Sequence, residues 1–410
     1  MKYALGNMLN GAGGLNADGL SLDLQFATDK TLTARKGPTP TFTRASTATF
    51  VGSNGLIQSA AINAARFDHD PVTLASRGLL IEESRTNLML QSEDFGTSWS
   101  AISATVSVNA TTSPNGLVTA DKLIVNLLSV TGRLSQNTTL TGSHTFSAFL
   151  KASEWSWAFI TPSAAVGGVW FNLSNGTIGT QQSGCVGSIV SYGNGWYRCS
   201  VTLTGTGVAS TARITPTNAD NTNTVGDGTS GIFAWGAQLE AGSFPTSYIP
   251  TVASSVARSA DVCSITGSDF TGFWNPSEGT LFASGVTRGY PVMASSGVNS
   301  NQIAIFRNSS PLYMRFDVAS GGAYTAQIIS ATIADGSFNK TAGSYAANDA
   351  RAAFNGTLGT ADITVTVPSN LTTLNIGSQS LGGSPHNGHI AAIRYFKKRL
   401  ANQKLQTITT

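Results

Sequence analysis

Charge, cysteine, acid groups and long apolar runs are all scarce in this sequence, and each shortage closes off a class of function. Charged residues make up 11% of the 410 positions, against roughly a quarter in an ordinary soluble domain. The net charge is +3 and the Lys and Arg are scattered. That is too thin a field for nucleic acid, which needs a clustered basic face. The basic run Lys397-Lys398-Arg399 reads as the solvated side of a terminal element. Three cysteines, Cys185, Cys199 and Cys263, are odd in number and far apart. They suit neither a disulfide framework nor a CxxC metal site, and a reducing cytosol is the expected folding compartment. No stretch reaches the roughly 18 apolar residues of a membrane span, and the N-terminus has no apolar run of signal-peptide length. No membrane insertion is expected. Asp and Glu total 21, leaving few places for the paired carboxylates of a glycosidase. Glu82-Glu83 and Glu93-Asp94 are adjacent, so each pair would point to opposite faces of a strand. No serine sits in a Gly-x-Ser-x-Gly turn. The reading is of a protein that is not an enzyme.

What the chain has instead is glycine (44 residues), a hydrophobic fraction of 41% and aromatics spread throughout. Uncharged polar residues alternate with apolar ones between Gly and Asn turns, which suits antiparallel sheets with one wetted face. The expected fold is all-β: two antiparallel β-sandwich (jelly-roll) domains preceded by an extended N-terminal arm. The arm takes residues 1–89, with a hairpin signal at Ser53-Asn54-Gly55. The first sandwich takes 90–251, ending on "GIFAWGAQLE", where Phe233, Trp235, Ala237 and Leu239 alternate with smaller or polar residues. Gly242, Pro245 and Pro250 then break the pattern, so 242–258 reads as a linker. The second sandwich takes 260–410 and ends in a short helix, with Asn402 near its start and Leu400, Lys404 and Leu405 at helical spacing.

Strand phase selects the candidate binding residues. Val169, Phe171 and Leu173 share a core side, which turns Trp170 and Asn172 outward; Tyr197, Cys199 and Val201 do the same for Trp196 and Arg198. Trp155, Trp157 and Phe159 share a face that reads as core, with Trp155 emerging at the strand's end, and Trp235 falls with Phe233 and Leu239 as core. A flat indole can stack on the C–H face of a sugar while polar neighbours read its hydroxyls. Trp155, Trp170, Asn172, Trp196 and Arg198 are therefore the glycan-binding candidates. For each tryptophan the competing role is packing under a loop, under the arm or at a subunit contact. Asp68-His69-Asp70, followed by Pro71, reads as turn chemistry in preference to a metal site.

Three blocks, "RASTATFVGSNGLIQSAAINAARFDHDP…RGLLIEESRTNLM", "NGWYRCSVT" with "GDGTSGIFAWGAQLEAGSFPTSYIPT", and "HNGHIAAIRYFKKRLANQKLQTIT", together resemble bacteriophage and prophage head-spike and tail-fibre proteins with lectin-like modules. The resemblance runs from about Phe42 onward. It implies a carbohydrate-binding-type jelly roll in the middle and a concanavalin-A-like (laminin G-like) sandwich at the end. It also implies a structural calcium near Glu93, Asp121 and Glu240, all oxygen donors as that ion prefers. The function expected is a non-enzymatic virion surface protein that binds host-surface polysaccharide. Its other expected partners are virion proteins, reached through the N-terminal arm, and two further copies in a homotrimer. It would be made in the bacterial host cytoplasm and act on the virion surface. The alternatives are a structural or decorating virion protein, or a polysaccharide depolymerase.

Overall fold

The computed structural model describes residues 18–130, 132–163, 167–203, 208–286, 288–296, 300–379 and 385–410. The Gly- and Asn-rich leader before Asp18 lies outside the described residues. The described chain is all-β, with every strand pair antiparallel and a few short helices.

Two six-stranded sheets are built wholly from strands between Ser100 and Ala241. Sheet I runs, in spatial order, Thr177–Gln181, Gly167–Asn172, Trp157–Ser163, Val208–Thr217, Arg133–Thr141 and Ser100–Ile102. Sheet II runs Cys185–Ser191, Trp196–Leu203, His144–Ala152, Gly231–Ala241, Ala120–Val125 and Ala104–Thr111. Their inner faces close on one core. Ala158, Ile160, Val169, Phe171, Ala212 and Ile214 from sheet I meet Phe146, Cys199, Val201, Ile232 and Leu239 from sheet II. All three cysteines are free and buried.

The second sandwich does not begin after the first. Its eight-stranded sheet pairs Leu20–Leu24 and Ser76–Ile81 with the late strand Gly388–Phe396. Its seven-stranded sheet pairs Thr41–Thr43 with Val262–Thr266. Leu22, Leu24, Phe26, Phe42, Leu79 and Ile81 lie in the same core as Ile303, Phe316, Leu374 and Tyr395. The expected arm thus supplies Leu20–Leu24, Thr41–Thr43, Phe67–His69 and Ser76–Ile81 to the C-terminal sandwich, while Ala48–Val51 and Ile57–Ala60 form a separate hairpin. Each early segment has few large apolar residues, and those of Leu20–Leu24 and Thr41–Thr43 are buried beside strands more than 200 positions later. The C-terminal helix forms at Asn402–Thr409 and buries Leu405 and Ile408.

The jelly roll is therefore inserted into the other sandwich. Its two connections, Arg85–Asn87 and Val256–Arg258, pair with each other as a two-stranded ribbon. The segment expected as a linker is held firmly. Asn87 Nδ2 donates to the carbonyls of Ala237 (3.0 Å) and Ile249 (2.8 Å). Beside the ribbon sits a dry ionic cluster of Arg44, Arg66, Arg258, Glu82 and Asp261, each 5% exposed or less. Arg66 Nη1 reaches Glu82 at 2.8 Å and Arg44 Nη1 reaches Asp261 at 3.0 Å. Arg66 also pairs with Asp261, and Arg258 with Glu82. Ser247 donates both its N–H (2.7 Å) and its hydroxyl (2.6 Å) to Glu82.

Candidate functional site

The joint consumes one of the jelly roll's two outer faces. On the outer side of sheet II, Phe149, Trp196 and Trp235 pack with Tyr248 of the returning segment and Ile57 of the early hairpin. Trp196 Nε1 donates to the Thr112 carbonyl at 3.0 Å. Arg198 donates to the Thr246 carbonyl (2.6 Å) and to Ser147 Oγ (3.0 Å) and lies over the Phe149 ring. Trp196 is 2% exposed and Arg198 7%. Both point away from the core as their strand phase requires, but they bind the molecule to itself. Trp235 is also buried there, not in the inter-sheet core. Gly236, at φ +63°, and the register shift opposite Ser147 and Phe149 put a bulge in the strand. The bulge reverses its phase, so Trp235 and Leu239 point to opposite sides.

Sheet I keeps its outer face. Ala158 and Ile160 are the inward residues of their strand, so Trp157 and Phe159 face outward, the reverse of the phase expected from residue size. Small residues beneath make this tolerable. A Cβ added at Gly179 would stand 2.6 Å from the Trp157 ring, and one at Gly168 would stand 2.7 Å from the Phe159 ring. The two glycines leave the space in which these rings settle against the sheet. Trp170 pairs across from Phe159 and its ring contacts it, with centroids 4.3 Å apart and a 46° tilt. Trp157 and Phe159 are half-buried, while Trp170 is 7% exposed with its indole N–H unpartnered. Asn172, opposite Trp157, is half-buried on the same face and accepts from the N–H of Ser174 (2.9 Å). Trp155 precedes the strand and packs into the inter-sheet core at 9% exposure.

Further along this face lie Thr215, Arg213 and Arg133. Arg213 pairs across from Thr161 and from Ser135, and its neighbours Ala212 and Ile214 are in the core. Arg133 precedes the core residue Leu134, which is registered on Ile214. Burial and the nearby Arg133 charge both depress the pKa of Arg213. Of the five residues selected from the sequence, the structure keeps Trp170 and Asn172 together here and sends Trp155, Trp196 and Arg198 into packing. It adds Trp157, Phe159, Arg133 and Arg213. The alternation Ala158, Ile160 against Trp157, Phe159 is legible in "WAFI", but residue size alone points the larger pair to the core.

The carboxylates expected to hold calcium do not make one site. Glu240 is fully buried and accepts from the Thr246 N–H (2.9 Å), the Thr246 hydroxyl (2.7 Å) and Gln238 (2.6 Å). Glu93 and Asp121 line an open cleft of about 470 Å³ with Asp94. Asp121 spends its two oxygens on the backbone N–H groups of Phe95 and Asn109, both at 2.8 Å, and Glu93 accepts from Tyr248 at 3.1 Å. Burial raises the pKa of both acids. The donor set fits loop anchoring, not an ion. Among the described residues no group of three His, Cys, Asp or Glu is placed to hold a metal. Asp70 caps the N–H groups of Val72 (2.9 Å) and Thr73 (2.8 Å), a turn in Asp-Pro chemistry. Asp68 contacts His389 Nε2 at 2.7 Å across 321 positions.

No family model and no curated protein sequence matches this chain. Parts of it are similar in fold to solved structures. One is the CBM40 of a Ruminococcus gnavus IT-sialidase bound to α2,3-sialyllactose, at 13% identity and TM-score 0.29, over 33% of this chain and 83% of that one. Another is domain 4 of AbnA, a GH43 extracellular arabinanase of Geobacillus stearothermophilus in complex with arabinotriose, at 10% identity and TM-score 0.28, over 42% and 84%. A third is the LG4-5 pair of the mouse laminin α1 chain, at 10% identity and TM-score 0.24, over 69% and 94%. Likeness of this depth is of fold alone.

Proposed function

We propose that the outer face of sheet I binds a saccharide and that the chain is a non-enzymatic surface protein of a bacteriophage virion. The observation that carries the binding role is the set of aromatic rings on the one jelly-roll face that the joint leaves free. Trp157 and Phe159 are seated over glycines, Trp170 touches Phe159, and polar groups stand along both edges. Such a surface offers a sugar ring apolar area while Asn172 and Thr215 address its hydroxyls. The virion assignment rests on the three sequence blocks that resemble head-spike and tail-fibre proteins. The first two blocks supply Arg44, Arg66, Glu82 and Ser247 to the joint, so the resemblance follows residues that hold the two sandwiches together.

The test is binding of the intact chain to an array of bacterial surface oligosaccharides, followed by titration of the best ligand. Phe159→Ala and Trp157→Ala are each expected to weaken binding tenfold or more, the scale of a central aromatic contact. Unchanged affinity in both variants would remove the proposal.

A single shallow face binds weakly, and copies presented together multiply its strength. We accordingly propose a homotrimer, a closed ring that presents identical faces. The expected result is a trimer by sedimentation equilibrium at micromolar concentration; a monomer there would overturn it.

A further inference from the structure

The charge on the same face names the class of saccharide. We infer that the ligand of sheet I is an acidic saccharide, its anionic group held at Arg213 beside Arg133 and its ring against Phe159 and Trp157. This rests on the binding role proposed above and adds to it a requirement for negative charge.

Arg213 is half-buried and no described carboxylate lies within ion-pair distance of it. Its Nε is buried without a hydrogen-bond partner. The charged group it feels most is another cation, Arg133, so that burial and repulsion both act against its proton. A folded protein ordinarily places an acid beside such a group, because a desolvated charge without a counter-ion is costly. This chain does so at Arg66, Arg258 and Arg315. Beside Arg213 no described acid fills that place, and a guanidinium fork suits a carboxylate or sulfate that arrives with a ligand.

Placement supports the same ligand. Phe159 is registered on Thr215 and Thr161 on Arg213. Phe159 and Arg213 are thus on adjacent strands, two residues apart in register, about 8 Å between Cα atoms from ordinary sheet spacings. One oligosaccharide can touch both. An acid of the same sheet, Asp220, sits at the opposite edge beside Gly179, where it accepts from the N–H (2.8 Å) and hydroxyl (3.1 Å) of Thr180. The face is therefore polarised, cationic at the Arg133 and Arg213 end and aromatic towards Trp157.

The experiment uses the full chain against oligosaccharides containing galacturonic acid, N-acetylneuraminic acid or sulfated galactose, each beside its uncharged counterpart. Preferential binding of an acidic member is expected, weakening several-fold between 50 and 300 mM NaCl. Arg213→Gln is expected to lose tenfold or more towards that member and little towards neutral ones, while Arg213→Lys keeps most of the affinity. Phe159→Ala lowers binding to both. Preference for neutral sugars, or an Arg213→Gln protein that binds the acidic one as before with the same salt response, overturns the charge requirement and leaves the saccharide face standing. Absence of binding to every member overturns both. Circular dichroism and melting of each variant, with Arg213→Lys as the folded reference, separate lost binding from lost structure.

Discussion

Replacing Glu82 by Gln should lower the free energy of unfolding by about 3 to 5 kcal/mol, the range for leaving buried charges without their partner. Glu82 is shared between Arg66 and Arg258, and both guanidinium groups are out of water. Gln keeps the shape and accepts one hydrogen bond, but Arg66 then shares Asp261 with Arg44 and Arg258 loses its carboxylate partner. The pair itself is not a large net source of stability, since desolvating five charges offsets much of their attraction. What costs so much is breaking it from one side. The Arg66 and Arg258 charges and the Ser247 hydrogen bonds hold the Glu82 carboxyl well below the usual range despite complete burial. A depressed folded-state value means that the contribution is present above the unfolded Glu value, near 4.5, and is lost as pH falls below it. Urea unfolding at pH 7 and pH 3.5 checks both parts: a deficit in the variant at pH 7 that shrinks at pH 3.5. A deficit below about 1 kcal/mol at pH 7 would show that the joint tolerates an open charge. Because Glu82 anchors Ser247 between the two sandwiches, the variant should also be cleaved faster within 242–258.

Asp317→Asn should act in the opposite direction and stabilise the protein. Asp317 lies on the outer side of the seven-stranded sheet with no exposed surface. Its Oδ2 accepts from Arg315 Nε (2.9 Å) and Nη2 (2.6 Å), while Oδ1 has no partner. Arg315 is itself held between the rings of Phe306 (4.4 Å) and Tyr324 (5.3 Å). Burial outweighs the Arg315 attraction and pushes the carboxyl up to about 6. A raised value means the fold prefers the protonated acid: stability is full below the unfolded value near 3.8 and is lost as pH rises through 6. At one pKa unit per 1.36 kcal/mol, the ionised group costs up to about 3 kcal/mol at neutral pH. Asn removes that cost and strips Arg315 of its charge partner, so the expected gain is about 1 to 2 kcal/mol at pH 7.5, vanishing at pH 4. Denaturant midpoints of both proteins at the two pH values test it. A variant less stable than the parent at pH 7.5 would mean that the Arg315 pair is worth more than the burial it imposes.

How much of this could be read from the chain differs from place to place, and for identifiable reasons. The all-β class follows from alternation and turn residues, which are local properties of consecutive side chains. So do the outward phase of Trp170 and Asn172 and the helix that begins at Asn402. Phase failed at two places. At Trp157 and Phe159 bulk points to core, but two glycines on other strands of the sheet, Gly168 and Gly179, make room for large rings outside. At Trp235 the bulge at Gly236 reversed the count. In both cases the deciding residue belongs to another strand or to the backbone conformation, not to the pattern being counted.

The sequence by itself determined that this protein is a double-layered β chain with few charged residues, because such properties are sums or short-range periods. Only the tertiary structure decided that strands between Leu20 and Ile81 complete the last sandwich, that Arg44, Arg66 and Arg258 converge on Glu82 and Asp261, and which jelly-roll face stays free. Those facts depend on which segments become neighbours across separations that run from 176 positions at Glu82 and Arg258 to 376 at Leu20 and Phe396. Pairing at that separation is selected by the burial of whole faces at once, which no window along the chain contains.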